Sequence, residues 1–186
     1  MEPSLEDIKK MRTLSCGAII ALWGACVQAG IIASEDFESG AATGWSNNTV
    51  TDSGHPDYTK FLGRFSRVGG QGVYKTFTGL PGGPCLVTVQ FDFYQIDSWD
   101  NEYFRVYIDD TQVANHRYHH STAGTPPGVT FLGGGSNQVF SGWRDYRYRY
   151  QFNVPTTDTE IKLGFGDSLN SGISDESWGI DNLVIS

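Results

Sequence analysis

Apolar and polar residues alternate along several segments of the chain in the pattern that is typical of β-strands. The clearest segment runs from Cys85 to Ile96, CLVTVQFDFYQI, and two more are YRYRYQFNV (146–154) and IKLGFGD (161–167). Because successive side chains of a strand point to opposite faces, the pattern predicts one face in a core and one face in water. In the first segment the predicted core residues are Val87, Val89, Phe91 and Phe93.

Shorter runs of the same kind cover much of the remaining chain, separated by clusters of Gly, Asn, Asp, Ser and Pro. This is the signature of an all-β protein, and no segment shows the period of a helix. About nine or ten strands are predicted, which is more than one open sheet holds easily. The sequence therefore predicts a jelly-roll β-sandwich of two antiparallel sheets. Residues 121–138 lack the pattern and are predicted to form a surface loop.

The first 29 residues are predicted to be a signal peptide. Lys9, Lys10 and Arg12 precede an apolar stretch at positions 14–27, and small residues surround a cleavage point after Ala29. The apolar stretch is too short for an ordinary membrane span, and no later segment is apolar for long enough to be one. Residues 30–186 are then a single β-sandwich domain in an extracellular or periplasmic compartment.

Two features of the leader leave alternatives open. Cys26 closes the apolar stretch, so a lipid anchor on this residue is the alternative to free secretion. Met11 lies directly before the arginine of the basic region and follows an acidic prefix, so translation starts either there or at Met1.

The charge of the chain limits its partners. Residues 30–186 keep 10 basic and 18 acidic residues, a net charge of −8. Nucleic-acid binding requires a basic surface, so this class of partner is excluded from the prediction, whereas cation binding is compatible with the charge. Cys85 is the only cysteine after residue 29, so it cannot form an intrachain disulfide and is predicted to be a small buried apolar residue.

Both ends of the predicted domain resemble a known family. SEDFESGAATGW (34–45) and WGIDNLVIS (178–186) are similar to the opening and closing strands of MAM-type jelly-roll domains, and to the ends of other secreted β-sandwich modules, including some carbohydrate-binding modules. The resemblance implies a concanavalin-like or jelly-roll sandwich that serves in adhesion or recognition. The paired cysteines of MAM domains are missing here.

Two acidic stretches are the strongest candidates for a site. DSWDNE (97–102) and DESWGID (175–181) each combine carboxylates with a tryptophan, and carboxylates in irregular segments are the ligands that Ca²⁺ prefers. A structural Ca²⁺ would remove the repulsion between them. The predicted metal ligands are Asp97, Asp100, Glu102, Asp175, Glu176 and Asp181. The alternative is that these residues are solvated turn residues without a metal.

Other chemistry has weaker support. The D-x-x-D-x-E spacing of DSWDNE lies in a predicted loop and does not place carboxylates on one strand face, as a glycosidase cleft on a similar sandwich requires. HRYHH (116–120) offers imidazoles for a transition metal, but alternation puts the side chains three apart on opposite faces, so a solvated loop is favoured. Trp99 and Trp143 are candidates for ligand binding; for Trp99 a position over the sandwich core is favoured, and for Trp143 both roles remain open.

Together these observations predict a secreted, non-enzymatic module that binds a glycan or an extracellular protein surface, with a structural Ca²⁺ as one of the two interpretations of its acidic stretches. Two alternatives remain open, a glycan-active β-sandwich hydrolase and an extracellular structural or matrix protein.

Overall fold

The computed structural model describes residues 30–135, 139–140 and 142–186, so the predicted signal peptide and Cys26 lie outside the described residues. The described part contains eleven strands and no helix, so it has no helix that is long and apolar enough to cross a membrane. The strands are β1 (Ala33–Glu35), β2 (Val50–Asp52), β3 (Lys60–Phe65), β4 (Val73–Thr78), β5 (Cys85–Asp97), β6 (Asp100–Ile108), β7 (Thr111–His119), β8 (Val129–Gly134), β9 (Tyr146–Thr156), β10 (Glu160–Asp167) and β11 (Glu176–Ile185).

The strands form two antiparallel sheets, which confirms the predicted all-β sandwich with eleven strands where about nine or ten were expected. The large sheet has seven strands in the order β2-β3-β11-β5-β9-β8, with β1 paired to the far half of β11. The small sheet has four strands in the order β4-β10-β6-β7. β5 lies at the centre of the large sheet, where it pairs with β9 from Cys85 to Gln95 and with β11 on its other side.

The core lies between the two sheets and is dominated by aromatic rings. Phe93 of the large sheet stacks on Phe104 of the small sheet with ring centroids 4.0 Å apart, and Phe165 meets Phe91 edge to face at 4.9 Å. Burial of each such ring contributes about 2 kcal/mol through the apolar surface removed from water. The predicted core residues Val87, Val89, Phe91 and Phe93 are all buried, as is Cys85. Alternation therefore located the inner face of β5 correctly.

The outer face of β5 differs from the prediction, because only its first half is in contact with water. Tyr94 is buried there in a second, smaller apolar cluster with Tyr58, Phe61 and Ile96. Val139 and Phe140 pack on this cluster from the segment before β9. The expectation of a wet face was wrong at this end because chain segments distant in sequence fold over the sheet and exclude water.

The structure also corrects two predicted loops. Residues 121–138 contain β8, which pairs with β9 and ends in two glycines with positive φ, Gly133 and Gly134. DSWDNE is an abrupt corner between two strands, since Asp97 ends β5 and Asp100 begins β6. Positive φ values at Asp97 and Asn101 turn the chain within this short distance.

A polar network lies beside the second apolar cluster on the outer face of the large sheet. Asp92 of β5 accepts two hydrogen bonds from Arg149 of β9, at 2.7 and 2.9 Å. Asp181 of β11 accepts a hydrogen bond of 2.7 Å from the hydroxyl of Tyr94 and one from the backbone N–H of Asn182. Burial, assisted by the charge of Asp92, raises the pKa of Asp181 from 3.8 to about 7 despite these donors.

This shift predicts a specific pH dependence of stability. Because the pKa of Asp181 is higher in the folded state than in the unfolded state, its contribution to stability is complete below about pH 4 and is lost as the pH rises through about 7. In Asp181→Asn this dependence is absent. Between about pH 4 and pH 8, the free energy of unfolding of the wild type should therefore fall relative to the variant by on the order of 2–4 kcal/mol.

Urea denaturation of both proteins at a series of pH values measures the difference. Asn retains an acceptor for the Tyr94 hydroxyl, and the quantity compared is the slope with pH, so a constant loss of stability in the variant does not affect the test. Parallel pH profiles for the two proteins would contradict the prediction.

Candidate functional site

The two acidic stretches lie against each other at one end of the sandwich. The β5–β11 ladder places Asp97 opposite Glu176, so the corner after β5 meets the segment that leads into β11. Ser98 connects them, since its backbone N–H and its hydroxyl both donate to the carbonyl oxygen of Asp175, at 3.0 and 2.8 Å. The Ser98 hydroxyl also lies 2.7 Å from the Asp175 carboxylate. Strand register thus brings together two stretches that are 73 residues apart in the chain.

Three of the six predicted metal ligands converge at this meeting point. Asp100, Glu102 and Glu176 each bring a carboxylate oxygen within 4.8 Å of the others. Glu102 and Glu176 are buried, and Asp100 is exposed to solvent at the edge of the group. The backbone N–H of Asp100 donates to Glu102 Oε2 at 2.5 Å, which fixes one of the carboxylates. We call these three residues the acidic cluster.

Two residues of the acidic cluster, Glu102 and Glu176, have pKa values above those of exposed carboxylates. Burial raises the pKa of Glu176 from 4.5 to about 7, and the neighbouring charge of Glu102 adds to this shift. Burial also raises the pKa of Glu102, together with a hydrogen bond to the Asp100 side chain. Both shifts arise from carboxylates that are withdrawn from water and placed beside one another.

The other three predicted ligands lie outside the acidic cluster. Asp97 is fully buried and forms an ion pair with Arg64 at 2.6 Å, so its charge is compensated within the protein. Asp175 accepts the hydrogen bond from Ser98. Asp181 lies five residues along β11 from Glu176, a distance of about 16 Å on an extended strand, so these two residues cannot share a cation. The prediction of a common set of six ligands is therefore wrong for Asp181.

Arg64 joins the segments that surround this end of the sandwich. Besides Asp97, its guanidinium donates to the hydroxyl of Ser177 at 2.7 Å and to the carbonyl of Ile173 at 2.6 Å. It also lies 4.8 Å from the ring centroid of Phe140. One side chain of β3 thereby holds the start of β11, the segment before it and the segment before β9.

A surface pocket opens beside the same corner. It has a volume of about 250 Å³ and is lined by His120, Ser121, Gly142, Trp143 and Arg144. The Trp143 side chain is 48% exposed, and its ring contacts the His120 ring edge to face at a centroid distance of 4.7 Å. His119 stacks on His120 at 4.4 Å, and the Ser121 hydroxyl lies 2.8 Å from His119 Nδ1. We call this the Trp143 pocket.

The walls of the Trp143 pocket are held by the buried structure behind them. The carbonyl of Trp99 accepts a hydrogen bond from the backbone N–H of His120 at 2.6 Å and lies 2.9 Å from its ring Nδ1. The hydroxyl of Tyr146 donates to the His120 carbonyl at 2.9 Å. Asp145, next to the pocket, accepts backbone hydrogen bonds from Val139 and Asp97. Burial raises the pKa of Asp145 to about 6 in spite of these bonds.

The two tryptophans predicted to bind a ligand have different positions. Trp99 is fully buried in the core, and its indole N–H donates to the carbonyl of Ser177 at 2.8 Å. Its ring has no exposed surface, which agrees with the structural role that the sequence favoured for Trp99 and leaves no ring face for direct ligand contact. Trp143 has the exposed ring that such contact requires.

Sequence reasoning missed three lining residues of the Trp143 pocket, namely His120, Ser121 and Arg144. The signal for the first two was HRYHH with the serine that follows it, for which alternation favoured a solvated loop. Alternation did not indicate that His120 turns toward Trp143, since His120 lies just beyond the last residue of β7, His119.

No family model matches the chain, so the MAM-type resemblance is not confirmed. No curated protein matches the chain.

Among solved structures, the chain is similar to the K3 cleaved adhesin domain of Lys-gingipain from Porphyromonas gingivalis W83, at 16% identity and a TM-score of 0.47, over 84% of this chain and 99% of that chain. It is similar to the C-terminal domain of EclA, a sugar-binding protein, at 14% identity and a TM-score of 0.43, over 66% of this chain and 71% of that chain. A third similar structure is the CBM22-1 xylan-binding domain of Paenibacillus barcinonensis Xyn10C, at 11% identity and a TM-score of 0.40, over 84% and 93%. Likenesses of this size do not identify a function.

The ion pair between Arg64 and Asp97 should contribute strongly to stability. Asp97 is fully buried, and Arg64→Met removes the positive charge that faces it while keeping most of the apolar stem. We expect the free energy of unfolding in urea to fall by about 3–5 kcal/mol, the usual effect of removing one partner of a buried pair. The matched control is Lys162→Met, whose partner Asp110 is mostly exposed, with an expected loss below about 1 kcal/mol. Equal losses in the two variants would contradict this interpretation.

Proposed function

We propose that this chain is a glycan-recognition module that binds its ligand in the Trp143 pocket. The observation that carries the proposal is the half-exposed ring of Trp143 at a pocket whose other side chains are polar, His120, Ser121 and Arg144. Sugars present an apolar face of C–H groups and an edge of hydroxyl groups. An indole ring offers surface to the first, and the polar side chains offer donors and acceptors to the second.

The position of the ring favours binding without large rearrangement. The Trp143 ring rests on His120, and His120 is held by the Trp99 carbonyl and the Tyr146 hydroxyl. A surface that is ordered before the ligand arrives loses less conformational entropy on binding. The pocket has a volume of about 250 Å³ and five lining residues, which is the scale of a small-ligand site, whereas a protein–protein contact spreads over a much larger surface. This difference favours a glycan over a protein surface.

The hydrolase alternative has less support from the geometry. A glycosidase needs two carboxylates on either side of a cleft that admits the sugar. The described residues that line the Trp143 pocket include no carboxylate. Glu102 and Glu176 do converge, but both are buried, so a sugar ring cannot lie between them.

The compartment is part of the proposal. Export from the cytoplasm is supported by the basic region, the apolar stretch and the small residues before position 30. Outside the cytoplasm, a glycan-binding module meets extracellular polysaccharides. Fusion of residues 1–29 to a reporter enzyme that is active only outside the cytoplasm tests this part separately.

Trp143→Ala should abolish most of the affinity without unfolding the domain. A glycan array with the wild-type protein identifies a ligand, and calorimetry with that glycan gives the Kd. Removal of the ring should raise the Kd at least about tenfold, because exposed aromatic side chains at the centre of a site supply much of the binding free energy. The melting temperature should stay within about 2 °C, since the ring is about half exposed.

The matched control is Tyr74→Ala, which removes another large ring of similar exposure from β4 of the small sheet, and it should leave the Kd unchanged. Equal affinity of the wild type and Trp143→Ala for the same glycan would contradict the proposed site. Hydrolysis of the glycan during the titration would favour the hydrolase alternative.

A further inference from the structure

We propose that Asp100, Glu102 and Glu176 bind one Ca²⁺, which joins the corner between β5 and β6 to the first residue of β11. The site uses three of the carboxylates that the two acidic stretches contribute, and none of these residues lines the Trp143 pocket.

The first argument is an oxygen atom without a partner. Glu176 is 3% exposed, and its Oε2 atom has no hydrogen-bond partner among the described residues. A buried carboxylate oxygen that has lost its water and gained nothing in exchange destabilises the fold. Its carboxylate lies within 4.8 Å of two more carboxylates, so the group that would satisfy it must be a cation or a donor that enters between them.

Other buried carboxylates of the domain show how unusual this arrangement is. Asp97 faces Arg64, Asp145 accepts two backbone N–H groups, and Asp181 accepts the Tyr94 hydroxyl. In contrast, no lysine, arginine or histidine nitrogen of the described residues forms an ion pair with the acidic cluster. Asp92 and Asp97 each face an arginine, whereas three carboxylates meet in the acidic cluster without a basic side chain of the described residues paired to them.

The geometry selects the chemical class of the cation. Ca²⁺ binds oxygen ligands at about 2.3–2.6 Å, so two ligands on opposite sides of the ion are about 4.6–5.2 Å apart. The three carboxylates fall within this span, since their oxygens approach to within 4.8 Å of one another. The set contains neither sulfur nor nitrogen ligands, which zinc sites normally use. Asp100 is exposed, so water can reach the ion and complete its coordination.

A bound ion would link β6 to β11, two strands that do not pair with each other. Asp100 and Glu102 belong to the small sheet through β6, and Glu176 belongs to the large sheet through β11. A cation bound by all three residues would connect the two sheets at this end. The domain has no disulfide among its described residues to do so.

Thermal unfolding of the purified domain in EDTA and in millimolar CaCl₂ tests the site. At a Ca²⁺ concentration about one hundred times the Kd, the melting temperature of the wild type should rise by about 5–10 °C relative to EDTA. An equal melting temperature in the two buffers would overturn the proposal.

The variant Glu176→Gln separates cation binding from a purely structural role. Gln keeps the size of the side chain and removes the charge, so the increase in melting temperature with CaCl₂ should disappear. In EDTA the variant should melt at the same temperature as the wild type or higher, because repulsion within the acidic cluster is relieved. A lower melting temperature in EDTA together with an intact response to Ca²⁺ would show that Glu176 is structural and overturn the proposal.

The control Glu160→Gln removes an exposed carboxylate at the start of β10, away from the acidic cluster, and should retain the full Ca²⁺ response. Loss of the response in Glu160→Gln as well would mean that Ca²⁺ acts on net charge and would also overturn the proposal.

Discussion

The register of β5 against its two neighbours is the constraint on which the rest of this domain depends. β5 contributes its inner face to the core and pairs with β9 from Cys85 to Gln95. On its other side the same strand pairs with β11 so that Asp97 lies opposite Glu176. A shift of one residue would turn the phenylalanines of β5 out of the core, so the apolar face fixes the register strongly. The polar residues where β5 ends and β11 begins are therefore held close to each other.

The apolar residues of β5 fix the register of the strands at this end of the sandwich. This register brings charged groups of neighbouring strands close together. The corner after β5 has only Ser98 and Trp99 between two strands, and Trp99 turns into the core. The residues around it must remain near the core whether or not they are polar. The fold meets this requirement with Arg64 for Asp97 and with backbone N–H groups for Asp145. Arg64 is 33 residues from Asp97 in the chain, and Asp97 is 48 residues from Asp145, so distant parts of the chain meet at this end.

Some features depend on residues that are neighbours in the chain, and others depend on residues that are distant. This difference explains which features the sequence could predict. Alternation depends on neighbouring residues, so the inner face of β5 and the class of fold followed from it. The burial of Tyr94 depends on Tyr58 and Phe140, which no local pattern connects to β5. Asp97 and Asp100 are similar acidic residues in the sequence, but Asp97 is buried and paired with the distant Arg64, whereas Asp100 is exposed. Trp99 and Trp143 both stand in polar surroundings, and only the turn of the backbone decides which ring is buried.

The proposed cation site and the Trp143 pocket share one short piece of backbone. The carbonyl of Trp99 holds His120 on one side, and the next residue, Asp100, belongs to the acidic cluster on the other. Asp100 also pairs with His119 in the ladder between β6 and β7. Asp100 is therefore close to both histidines beside Trp143, because it follows Trp99 in the chain and lies opposite His119 in the ladder. The acidic cluster and the Trp143 pocket therefore both depend on the same corner of the chain. This corner is held in position by the burial of Trp99 in the core.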